Sequence, residues 1–182
     1  PIVVDKTMNM VAFIHRTDAL LLGGNSGELR YDYSTNAGTT WTINQGVLNP
    51  INSDYARYPN MAIHNPTNNT TPANAYVCYL APTIASATSV WNGVVAGAKQ
   101  FGSAVTTESY NPGGIGTNQI PHSMVKGAPG IYWAIDPVNT IATGFNIYRG
   151  VWNSTLNDIS WTINYNVNPT FSSNWTSAPQ VV

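Results

Sequence analysis

Bulky apolar and polar residues take turns in short runs along most of this chain. In Leu29-Arg30-Tyr31-Asp32-Tyr33-Ser34, residues 29, 31 and 33 alternate with 30, 32 and 34. A period of two sends each set to its own side of an extended backbone, so the run predicts a β-strand with one covered face. Residues 8–16 and "TTWTI" at 39–43 read as strands of the same sheet. A second set follows in "PNMAIH" (59–64), "AYVCYLAP" (75–82), "SVWNGVVAGAKQF" (89–101) and "AVTTES" (104–109), where the glycines of the long run mark a twist or bulge. A third set contains two strands about a "GAPG" turn within 120–136, a strand within 140–153, and an outermost one at 158–166.

The runs divide the chain into three groups, 1–57, 58–120 and 121–182, each of three or four short antiparallel strands. Two groups share wording. "YDYSTNAGTTWTINQGVLNP" lies over "RGVWNSTLNDISWTINYNVNP" with Ser34 on Ser154 and Trp41 on Trp161, and "WTIN" recurs 120 residues apart. Internal echoes at such spacing are how propeller blades repeat, whereas a β-sandwich gives many short strands with no reason to echo.

The better copy, Ser34 to Trp41, is built as a hairpin staple. Asn36 offers a side-chain oxygen to backbone N–H groups further along the turn, and Gly38 suits a backbone that a β-carbon would resist. Ser34 and Thr40 satisfy further backbone groups while Trp41 folds back onto the turn. The stretch resembles the Asp-box (BNR) motif of the sialidase-like β-propeller superfamily, in which an Asp or Asn, a Gly and a Trp hold the turn between the third and fourth strands of a blade. The second copy keeps Ser154, Thr155 and Trp161 but has Leu156 and Asp158 where Asn36 and Gly38 stand. Residues near "ARYPNMAIHNPTNNTTPANAYVCY" resemble segments of long-bladed secreted proteins from Bacteroidetes-type bacteria. The resemblance implies a partial propeller of about three four-stranded blades, and it spans catalytic and non-catalytic proteins alike.

Composition narrows the field. The chain is 43% hydrophobic with six Trp, ten Tyr and four Phe, which is ample for packing, and its polarity comes from 22 Asn and 20 Thr. Only 8% of residues are charged and the net charge is -1, which argues against electrostatic binding of nucleic acid. Cys78, the lone cysteine, reads as a buried strand residue and excludes an internal disulfide. Apolar runs are of strand length, so no membrane insertion is expected. The start at Pro1, without Met or a signal peptide, reads as a processed protein or a piece of a larger one.

Catalytic chemistry finds little to work with. Sialidases of the resembled family use an arginine trio, a tyrosine nucleophile with its glutamate, and an aspartate. Here "Arg57-Tyr58-Pro59" is similar to one arginine element but follows an Asp box where the family element precedes it. Glycoside hydrolysis needs two carboxylates across one sugar site, and no pair has meaningful spacing. Asp136, at a strand end, and Arg57 are the charged binding candidates. Trp91, Trp133, Trp152 and Trp175 are possible sugar platforms; Trp133 and Trp152 read as packing residues and Trp175 as the exposed one. His15, His64 and His122 stand alone at similar strand-end places, so neither a metal nor a cofactor is expected. The expectation is an extracellular or cell-surface propeller module that binds protein or glycan and is completed by further blades or another chain. The alternative is part of a glycosidase whose catalytic residues lie partly elsewhere.

Overall fold

A computed structural model describes residues 1–50, 54–116, 120–137 and 145–167. It contains thirteen strands in three antiparallel sheets among those residues. The first sheet is β1 (Ile2–Asp5), β2 (Met10–Arg16), β3 (Leu29–Ser34) and β4 (Thr42–Gly46), ordered as in the chain. The third is β10 (Ser123–Lys126), β11 (Ile131–Pro137), β12 (Phe145–Asn153) and β13 (Asp158–Val167), again in chain order. Between them stands a five-stranded sheet of β5 (Tyr55–Ala56), β6 (Asn60–His64), β7 (Tyr76–Ile84), β8 (Trp91–Gln100) and β9 (Thr106–Tyr110).

In the middle sheet β5 and β6 both pair with β7, opposite residues 83–84 and 76–80 respectively. They form one interrupted edge strand, and Arg57 in the interruption donates its N–H to the carbonyl of Pro82. The sheet therefore begins at Tyr55, three residues ahead of the second expected group, because a two-residue strand is too short to show a period. The same brevity hid β1, whose exit is set by Asp5: its carboxylate accepts the N–H groups of Thr7 and Met8 and caps a 3₁₀ turn. Asp18 similarly caps a single helical turn, α1 (Ala19–Leu22). No helix among the described residues is long and apolar enough to cross a membrane.

Strand alternation divides the middle sheet cleanly. Met61, Ile63, Val77, Tyr79, Ala81 and Val95 pack toward the first sheet, where Met10, Ala12, Ile14, Leu29 and Tyr31 meet them. Ala62, Cys78, Leu80, Val94, Ala96 and Ala98 face the third sheet and meet Met124, Tyr132, Ala134, Tyr148, Ile159 and Trp161. Each large side chain so buried contributes ~1.5–3 kcal/mol. Two-sided burial explains why "YVCYLA" and "VVAGA" read as nearly unbroken apolar runs. Gly97 is required in the second of these: a β-carbon there would stand 2.0 Å from the Thr107 carbonyl oxygen and 2.7 Å from the Tyr79 hydroxyl. That hydroxyl donates to the Leu48 carbonyl and so ties the first two sheets together.

β6, on the edge where the middle sheet begins, lies beside the first strands of the other two sheets, β1 and β10. Phe101, just after β8, packs edge-on against Tyr31 and Tyr33 of β3. The middle sheet thus offers one face to the first sheet and the other to the third.

Candidate functional site

The turn from β3 to β4 is a closed network of side-chain bonds. The Ser34 hydroxyl accepts the N–H of Gly38 at 2.9 Å and that of Asn36 at 3.3 Å. Asn36 Oδ1 accepts the Thr40 N–H at 2.9 Å, and its Nδ2 donates to the Thr40 hydroxyl at 2.8 Å. The Trp41 indole N–H donates to the Gly38 carbonyl at 3.0 Å, and the ring meets Phe13 edge-on. The turn from β12 to β13 is shorter. Asn153 pairs with Asp158 across it, and Asn153 Oδ1 accepts the N–H groups of Thr155 and Leu156. Ser154 is exposed within that turn, whereas Ser34 ends a strand and is buried. Trp161 lies inside β13 and is buried against the middle sheet.

The charged binding candidates are occupied by the fold. Arg57 Nη1 donates to the carbonyls of Ala56 at 2.9 Å and Ser26 at 3.3 Å, with its guanidinium 5.2 Å from the centre of the Tyr55 ring. It braces the loop before β3 against β5. Asp136 is wholly buried; it accepts the Ile120 N–H at 2.9 Å and the Tyr148 hydroxyl at 3.4 Å. Burial pushes its carboxyl up to about 7, held back in part by those two donors. Trp175 lies outside the described residues.

The histidines do not converge. His15 pairs with Asp32 at 3.2 Å on the outer face of the first sheet. The N–H of His122 donates to the Ile135 carbonyl ahead of β10. His64 is buried at the end of β6, with Nδ1 2.7 Å from the Tyr132 hydroxyl. Burial, aided by the nearby Lys126 charge, lowers it to about 4, so it is neutral at physiological pH. Among the described residues no three His, Cys, Asp or Glu side chains gather closely enough to hold a metal ion.

Two hollows remain. A small one of about 300 Å³ is walled mainly by apolar residues of β1, β6 and β10. The larger, a cleft of about 590 Å³, opens where the middle and third sheets end together, beside the β12–β13 turn. On its wall the imidazole of His64 stacks on the Trp152 indole at 3.7 Å and 11°, and Tyr76 leans on the same indole at 4.8 Å. Around the rings stand Asn65, Asn74, Gln100 and Asn157 with the hydroxyls of Thr67 and Ser154; no Asp, Glu, Lys or Arg lines it. This is the chemistry of a neutral, hydrogen-bonding ligand with an apolar face. Sequence reasoning missed it because its walls come from positions 64 to 157, which meet only through sheet stacking. The available signal was an aromatic or imidazole ring ending each of several strands beside Asn-rich loops. No family model, curated protein or solved structure matches this chain.

Proposed function

We propose that the chain supplies three consecutive blades of a sialidase-like β-propeller, acting outside the cell or at its surface as a non-catalytic module that binds protein or glycan within a larger assembly. One observation carries the reading: β6 lies beside both β1 and β10 while the three sheets stack in chain order, the middle one packed on both faces. Propellers typically close with four to eight blades, so three leave a face at each end of the stack for neighbours. Ile2, Val4 and Trp41 on the outer side of the first sheet are 72, 63 and 42% exposed, as a blade face without its predecessor would be. A further blade fits there, since the middle sheet covers the corresponding face of the third. The sealing of Asp136 by Ile120 and Tyr148 weighs against the glycosidase alternative.

The test is the intact mass of the protein from its native source, with peptides mapped beyond Pro1 and Val182. A mass well above 19.6 kDa, with flanking peptides of the same strand pattern, is the expected result. A 19.6 kDa monomer by light scattering would overturn the blade reading. Turnover of chromogenic glycosides by the native protein would overturn the non-catalytic one.

A further inference from the structure

We propose that the cleft between the middle and third sheets binds a neutral saccharide, with a sugar ring against Tyr76 and Trp152 and its hydroxyls on the amides of Gln100 and Asn157. The inference rests on the reading of the chain as a binding module and names the ligand class of one site.

The aromatic wall is built and braced. His64, itself buried, backs the Trp152 indole, and the bond from the Trp152 backbone N–H to the Gly130 carbonyl fixes the main chain beneath it. An indole held this way offers a rigid platform for the axial C–H face of a pyranose, and stacking costs little further side-chain entropy.

The amides are oriented for the rim of such a ring. The Tyr76 hydroxyl donates to Asn157 Oδ1 at 3.2 Å, which turns the amide nitrogen of Asn157 into a fixed donor. Gln100 Nε2 donates to the Ala73 carbonyl at 2.7 Å, which leaves the Gln100 carbonyl oxygen as a fixed acceptor. Adjacent sugar hydroxyls each both donate and accept, so a paired donor and acceptor suits them. Asn157 holds its place in a left-handed conformation, φ 53°, that asparagine tolerates well.

Charge selects among sugars. A sialic or uronic acid brings a carboxylate that needs a cation or several N–H groups, and no Lys or Arg lines the cleft. His64 remains uncharged at neutral pH and supplies none. Phosphate-bearing ligands fail on the same ground. The cleft volume, about 590 Å³, sits within the ~300–1,000 Å³ of small-ligand sites.

The full 182-residue chain, ¹⁵N-labelled, would be titrated with maltose, lactose and N,N′-diacetylchitobiose, and with free sialic acid as the charged control. At least one neutral disaccharide should shift the Trp152 indole N–H and the side-chain amides of Gln100 and Asn157, and sialic acid should not. The Gln100→Ala/Asn157→Gly pair should weaken binding by about tenfold or more. Glycine keeps the left-handed turn, and an unchanged near-ultraviolet spectrum would show that the fold persists. The proposal is overturned if no neutral disaccharide moves these signals at millimolar concentration, if sialic acid binds as well, or if the double variant binds within twofold of the parent. A negative titration leaves the blade reading untouched, and a 19.6 kDa native monomer that binds saccharide fails only the blade reading.

Discussion

Trp41 and Trp161 occupy the same place in two copies of one phrase, yet one is 42% exposed and the other 5%. Trp161 stands on the side of its sheet that faces the preceding one, against Ala96 and its neighbours, and Trp41 on the side of its sheet away from the next, beside Phe13. The difference lies in what covers them. Trp161 has a predecessor sheet and Trp41 has none within the described residues. The serines teach the opposite lesson: Ser34 closes a strand and Ser154 sits in a four-residue turn, so the echoed letters hold for facing and fail for turn geometry.

The sharpest way to break this comparison is to truncate both rings. Trp161→Ala should destabilise the chain by ~3–5 kcal/mol, since it empties a core position. Trp41→Ala should cost no more than about 1 kcal/mol, as an exposed substitution with one lost indole bond does. Urea unfolding of the two variants would measure both, and equal losses would mean that burial does not distinguish the copies. Gly150→Ala comes next, because Gly150 pairs with Trp161 across the ladder. Its new β-carbon would lie 2.5 Å from Ile159 Cγ2 and 3.0 Å from the Trp161 ring, so a loss of ~1–3 kcal/mol is expected in thermal melts.

The turns themselves give a smaller contrast. Asn36→Ala removes an acceptor and a donor together and should cost ~1–2 kcal/mol, against ~0.5–1.5 kcal/mol for Asn153→Ala, by chemical denaturation. A last contrast is one of pH. Burial raises Asp158 from 3.8 to about 6, although the N–H of Ile159 and the Thr107 hydroxyl pull it back. The folded chain keeps that proton after the unfolded chain has released it. Its contribution is therefore full below pH 3.8 and is lost as pH rises toward about 6. Asp158→Asn should flatten that slope, leaving the similar share of Asp136, which extends to about 7. Nothing titrates between Ser34 and Trp41, so Asn36→Ala should shift the whole stability curve without changing its slope.

Most long strands were legible because their periods were. Leu29 to Ser34 alternates on a half-covered sheet, and Ala75 to Ala81 runs apolar where both faces are covered. What escaped was short or assembled from afar. Tyr55–Ala56 has no period to read, and α1 is a single turn set by one aspartate cap. The candidate cleft was illegible for a different reason. His64, Tyr76 and Trp152 each look like solitary packing residues until two sheets bring the first two rings to 3.7 and 4.8 Å from the Trp152 indole.

The two-sided middle sheet also constrains how the chain comes into being. Its strands are joined by local hairpins, so each sheet zips without waiting for distant partners. During synthesis the first sheet is available to receive Met61, Tyr79 and Val95 as soon as they emerge. The opposite face, with Cys78, Leu80, Val94 and Ala96, must then stay bare until β10 to β13 have left the ribosome. For that interval the nascent chain carries a greasy, flat sheet surface of the kind holdase chaperones recognise. A chain truncated just after Ile115 and released from the ribosome should therefore be folded at its start and adhesive at its end.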